Sequence, residues 1–171
     1  DGEVVWKFDR YEYIEDPGEE PRWMARQHHD FQREGCPVGY FVPDMEPKTD
    51  GGNTLLLCHK TTTQPDITSK PLLDDTFVEV DWDGNILWEW VASEHFHEMG
   101  FSEEARNTLY RLPNMRAASG GIADWLHINA MSYLGPNQWF DQGDGRFHPQ
   151  NIIWSSRQAN IVAITDKVSG R

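Results

Sequence analysis

The chain has 171 residues, with 28 Asp and Glu against 15 Lys and Arg, a formal net charge of −13 and a pI near 4.8. That balance argues against a nucleic-acid backbone or an anionic membrane surface as partner, and an anionic substrate would need a locally positive pocket. No stretch reads as a signal peptide or an apolar transmembrane run, and eight Trp with eight Phe suit aromatic packing between sheets.

The first element is an outer strand over residues 3–8, opened by the Asp1-Gly2 turn and alternating Val and aromatic positions. An acidic loop follows over residues 15–21, then a strand over residues 28–33. Residues 35–52, with Pro37, Pro43, Pro47 and Gly51-Gly52, read as a long insertion before a strand over residues 53–59. Residues 61–75 form a loop to the strand 77–82, which turns through Asp83-Gly84 into the strand 85–90, giving one four-stranded unit.

The second unit departs from pure β. Glu94-His95-Phe96-His97-Glu98 puts two imidazoles on one side of an extended segment, but no third zinc ligand follows at a usual spacing, so it reads as a polar lead-in to a helix. That helix covers residues 102–112: Ser102 is the N-cap, Glu103 and Glu104 sit in the first turn, and Ala105, Leu109 and Leu112 recur at helical spacing before Pro113. A flexible connection over residues 117–121 leads to a strand at 125–133, a Gly-, Pro- and Asp-rich loop to Gly145, a strand at 151–157, and a last one at 161–164. Within the loop, Asp141-Gln142-Gly143-Asp144-Gly145 lacks the full calcium ligand set and reads as a solvated turn. Neither stretch makes a metal site, and no cofactor-binding motif is present.

These elements repeat. Asp1-Gly2-Glu3-Val4-Val5-Trp6 matches Asp83-Gly84-Asn85-Ile86-Leu87-Trp88, and Ser169-Gly170-Arg171 opens a third copy, with glycines 82 and 86 residues apart (84 − 2 and 170 − 84). The units run over about residues 1–82 and 83–169 of a single domain. Such β repeats imply an all-β propeller, and 171 residues supply about two blades with one short inserted helix, so the chain reads as part of a longer protein. Cys36 and Cys58 are compatible either with one disulfide or with a buried free Cys58.

Polar side chains fall at matching places in the two units. His28-His29-Asp30 precedes the strand ending at His59, and His127-Ile128-Asn129 precedes the strand ending at Arg157. A lone strand histidine is most often structural. Imidazole, amide and guanidinium groups aimed at one cavity could instead hold an oxyanion and move a proton.

The runs Asp124-Trp125-Leu126-His127-Ile128-Asn129 and Asn151-Ile152-Ile153-Trp154-Ser155-Ser156-Arg157 resemble the bacterial arylsulfate sulfotransferases, as do His28-His29-Asp30, the Gly52-Asn53 turn and the repeated Gly-x-aliphatic-aliphatic-Trp strand. The resemblance implies a six-bladed propeller that moves a sulfuryl group from a phenolic sulfate ester to a phenol through a sulfated histidine, without a nucleotide sulfate donor or other cofactor. It places His127 and Asn129 on the family's His-x-Asn pair and Arg157 on its Ser-Arg arginine. One of His28 and His29 falls on an earlier active-site histidine: the spacing to His59 favours His29, and the His-x-Asp pattern, which we follow, favours His28. His29 and His59 are then expected to line the substrate channel, and the sulfated histidine to lie outside these residues. A small aryl sulfate and a phenol are the expected partners, alongside the remaining blades, with no nucleic acid or membrane; homo-oligomerisation is left open. The resemblance also implies a periplasmic or extracellular location. The rival readings are a non-catalytic propeller that binds a ligand or partner in the same channel, and an enzyme using the histidines as metal ligands.

Overall fold

A computed structural model describes residues 2–35, 48, 50–114 and 122–171. It is mostly β-sheet, in three antiparallel sheets. A small hairpin pairs β1 (Glu12–Ile14) with β2 (Arg22–Met24), its turn falling in the acidic stretch expected to loop. The second sheet is a meander of β3 (Gln27–Arg33), β4 (Thr54–Thr62), β5 (Leu72–Val80) and β6 (Ile86–Val91), hydrogen-bonded in that order. The third pairs β7 (Ile128–Tyr133), β8 (Ile152–Ser156) and β9 (Ile161–Thr165) in sequence.

The strand period of two divides the second sheet's side chains between its faces. Leu55, Leu57 and Phe77 enter the main core, where they meet Trp125, Ile128, Met131 and Trp154 from the region of the third sheet. Leu56, Val78 and Val80 point to the opposite face and are covered by Trp6 and Phe8. Phe77 stacks on Trp90 at 4.8 Å and meets Trp154 edge-on at 6.4 Å, so aromatic contacts tie the two sheets together.

Residues 3–8 do not form the expected strand. They have no ladder partner among the described residues and lie on the sheet through side chains instead: Trp6 stacks on Trp82 at 6.0 Å and its indole N–H donates to the Trp82 carbonyl at 2.8 Å. The turn glycines do behave as the Asp-Gly pattern requires, with φ of 83° at Gly2, 82° at Gly84 and 77° at Gly170. The expected loop over residues 61–75 is shorter than predicted, because β4 continues to Thr62 and β5 begins at Leu72.

The helix α1 (Glu103–Arg111) forms where predicted, with the Ser102 hydroxyl accepting from Ala105 N–H, and only Leu109 of its residues is buried. The segment before it is a correction: Ala92–Met99 is a 3₁₀ helix, where residues 94–98 were expected to be extended. On that helix residues two apart diverge, so His95 pairs with Glu98 at 2.9 Å while His97 reaches Asp66 at 3.0 Å. They do not face one site. The loop before β8 carries a short helix α2 (Gln138–Asp141) and a 3₁₀ turn at Gly145–Phe147. The insertion centred on residues 36–47 and the connection 117–121 lie outside the described residues. No helix among the described residues is long and apolar enough to cross a membrane.

Cys58 is free, and burial pushes its thiol up to about 12; Cys36 lies outside the described residues. A thiol held protonated reacts slowly. Peptide mapping after iodoacetamide treatment should therefore find Cys58 unmodified in the native protein and fully alkylated in denaturant.

Two side chains of β3 join the second and third sheets. Asp30 accepts from Met131 N–H at 2.9 Å and Gln32 from Tyr133 N–H at 2.7 Å, filling positions along the edge of β7 that a neighbouring strand would otherwise occupy. Asp30→Ala orphans a partly buried N–H and is expected to destabilise the fold by about 1–3 kcal/mol in urea unfolding, with Asp30→Asn, which keeps an acceptor, costing less.

Candidate functional site

The junction of β3 and β7 brings the histidines together. Both strands are irregular there: the pairing of β3 slips between Gln27 and Phe31, and that of β7 between Ile128 and Ala130. At these irregularities His29 and His127 adopt left-handed backbone, with φ of 51° and 52°. Bulky side chains seldom hold this conformation, which costs about 1–2 kcal/mol. The consequence is a change of aim for both imidazoles. His29 Nε2 lies 3.2 Å from His127 Nε2 and 3.2 Å from the Asn129 amide nitrogen.

Two nitrogens at that separation need one hydrogen between them. The other ring nitrogen of His127 faces Asp124 Oδ2 at 2.5 Å. Because the carboxylate accepts, the proton sits on Nδ1 and the imidazole is held with Nε2 toward His29. Asp124 is in turn fixed by its backbone, whose N–H donates to the Asn114 side chain at 2.6 Å.

The approach to β7 is pinned from β5. Asp74 accepts from the Trp125 indole N–H at 2.9 Å, and Asp75 Oδ2 accepts from Ile128 N–H at 3.1 Å, so successive carboxylates grip either side of His127. Both aspartates are fully buried, and burial raises both carboxyl groups above the usual carboxylate range.

His28 takes a different place from His29. Its ring stacks on that of His59 at 3.5 Å, nearly parallel, and its Nε2 lies 3.3 Å from Asp75 Oδ1 without hydrogen-bond alignment. His59 Nε2 lies 3.7 Å from the same oxygen. Burial pushes the His59 imidazole down to about 3, and the neighbouring His28 adds to the effect.

The sequence-predicted residues thus separate into two layers. His29, His127 and Asn129 meet directly, whereas His28, which the His-x-Asp pattern had placed in that role, meets His59 and Asp75 beneath them. Arg157 is adjacent: its backbone N–H donates to the His127 carbonyl at 3.1 Å, and its exposed side chain forms no hydrogen bond or ion pair among the described residues. Sequence reasoning missed Asp124, Asp74 and Asp75. The first lay three residues before His127, and Leu73-Asp74-Asp75-Thr76 was assigned in part to a loop, although two acids opening an otherwise apolar strand are a signal of buried carboxylates with work to do.

The arrangement can hold an anion. It offers ring N–H and amide N–H donors in a partly exposed cluster, backed by a carboxylate that holds the His127 imidazole in position. No curated protein and no solved structure gives a significant match to the chain. The profile of the arylsulfotransferase (ASST) family does match, over residues 44–169, which takes in β4 to β9 together with His59, His127, Asn129 and Arg157. With most of its length so matched, and with the polar cluster falling at the junction of its two larger sheets, the chain belongs to the arylsulfotransferase family.

Proposed function

We propose that the protein is an arylsulfate sulfotransferase built on a β-propeller, with the β3–β6 and β7–β9 meanders as successive blades and β3 and β7 as their channel-facing strands. The observation that carries this reading is the meeting of His29, His127 and Asn129 across those two strands, both histidines in the same unusual backbone conformation. Family membership supports the reaction class.

In this reading an aryl sulfate ester binds with its sulfuryl oxygens toward His127, Asn129 and Arg157. A histidine nitrogen attacks sulfur, the sulfur–aryl oxygen bond breaks, and the phenolate leaves. In the second half a phenol oxygen attacks the sulfated histidine, the nitrogen–sulfur bond breaks, and the phenolic proton passes to an imidazole. As in phosphoryl transfer, negative charge spreads over the equatorial oxygens, so positioning and electrostatic stabilisation supply most of the acceleration. His127, held by Asp124, donates or accepts at Nε2; Asn129 adds a neutral donor; His29 shares the proton at the His127 edge. Arg157 supplies a planar pair of donors. The periplasm or the exterior, where the family's nucleotide-independent chemistry is expected, is the proposed location.

The test uses the full-length protein with 4-nitrophenyl sulfate as donor and phenol as acceptor, following nitrophenolate release and the sulfated product. Arg157→Lys keeps the charge but loses the planar fork, and is expected to lower turnover by about 10-fold or more while weakening donor binding less. A wild-type protein that binds the aryl sulfate but transfers nothing would leave the ligand-binding propeller as the reading.

A further inference from the structure

Beside the His29 and His127 cluster lies a group of side chains, several of whose polar atoms have no hydrogen-bond partner among the described residues. Asp75 is fully buried, yet among the described residues its Oδ1 accepts no hydrogen bond; both ring nitrogens of His28 and Nε2 of His59 are likewise buried and unsatisfied. A carboxylate oxygen and two imidazoles left so are costly unless something binds them. The three residues come from adjacent strands, β3, β4 and β5, of one sheet.

We propose that His28, His59 and Asp75 form a binding site for a divalent transition-metal ion, with zinc the best fit. The potential donor atoms all lie within 4.8 Å of one another, and Asp75 Oδ1 is 3.3 Å from His28 Nε2 and 3.7 Å from His59 Nε2. Tetrahedral zinc with bonds of about 2.0–2.1 Å sets its donors roughly 3.3–3.4 Å apart, so the two distances to Asp75 need little adjustment. Two imidazoles and one carboxylate favour zinc over calcium or magnesium, which prefer oxygen ligands. The second carboxylate oxygen is already anchored by Ile128 N–H at 3.1 Å, as an outer-shell contact would require.

Two further features fit. A cavity of about 200 Å³ lined by Arg26, His28, His59 and Leu73 reaches the group, giving an entry path and room for water at a fourth position. The cation already there, Arg26, is occupied by both oxygens of Asp16 at 3.1 Å, which offsets its repulsion of an ion. One rearrangement is required. The His28 and His59 rings stack 15° from parallel, and a metal bound in the plane of both must splay them, which the absence of any hydrogen bond holding the His28 ring permits.

The experiment is zinc titration of tag-free full-length protein after treatment with a chelator, followed by calorimetry and elemental analysis, with cobalt(II) absorption as a second readout. One zinc per chain is expected. His28→Gln and His59→Gln should each weaken binding by at least about 10–100-fold, whereas His95→Gln and His97→Gln leave it unchanged. Circular dichroism confirms that each variant is folded, and Asp75→Asn, should it fold, must also lose affinity. Failure of the wild type to bind stoichiometric zinc, or full binding by both folded His28 and His59 variants, overturns the site. Because the readout is metal content, it is independent of whether sulfuryl transfer is observed.

Discussion

His127→Ala should reduce sulfuryl-transfer turnover by about 10³-fold or more in the full-length protein, since it removes at once a donor to the sulfuryl oxygens and a proton carrier. The more informative companion is Asp124→Asn. Asp124 Oδ2 accepts from His127 Nδ1, so an amide in its place can offer its own N–H and turn the imidazole to the wrong tautomer while disturbing little else. A loss of about 100-fold in kcat, with donor binding changed far less, is expected. Stopped-flow or steady-state release of nitrophenolate measures both. Turnover near wild type for both variants would make the cluster scaffolding and move the catalytic groups to other residues of the protein.

Trp125→Ala should have the largest effect on stability, about 3–5 kcal/mol in urea unfolding. Trp125 is fully buried against Phe96, 5.7 Å between ring centroids, and its indole N–H satisfies the buried Asp74. Truncation therefore opens a cavity and also leaves a carboxylate oxygen short of a donor. Trp125→Phe separates the two contributions, keeping most of the volume and losing the hydrogen bond, and is expected to cost about 1–3 kcal/mol. If the two variants unfold at the same urea concentration, packing around Trp125 contributes little and the hydrogen bond dominates.

The strands of the second sheet were legible because apolar residues follow one another directly, as in Leu55-Leu56-Leu57 and Phe77-Val78, which suits strands covered on both faces. The helix after Ser102 was equally plain, since capping is a local interaction. What the chain order hid was decided by partners far away. Residues 3–8 have strand composition but no ladder to join among the described residues, and the hairpin Glu12–Met24 has little hydrophobic patterning to announce it. Among the candidate site residues, His127 and Asn129 were singled out by the His-x-Asn run that carries the family resemblance, and both lie against His29. The choice between His28 and His29 turned on a backbone irregularity that shifts the phase of β3, and no alternation pattern encodes that. Asp75 escaped because its role depends on two imidazoles from neighbouring strands, 16 and 47 positions earlier (75 − 59 and 75 − 28).

The left-handed φ of His29 and His127 means that, for the backbone alone, glycine would be the preferred occupant of both positions. Conformational preference and side-chain chemistry thus pull these two sites in opposite directions. A screen for heat resistance that ignored activity would be drawn to glycine at both, and each gain would erase an imidazole. The same exchange leaves an imidazole-sized vacancy beside Asp124, so a His127→Gly protein is a natural host for free imidazole supplied from solution, and restored turnover there would report the ring's chemistry separately from the chain that carries it.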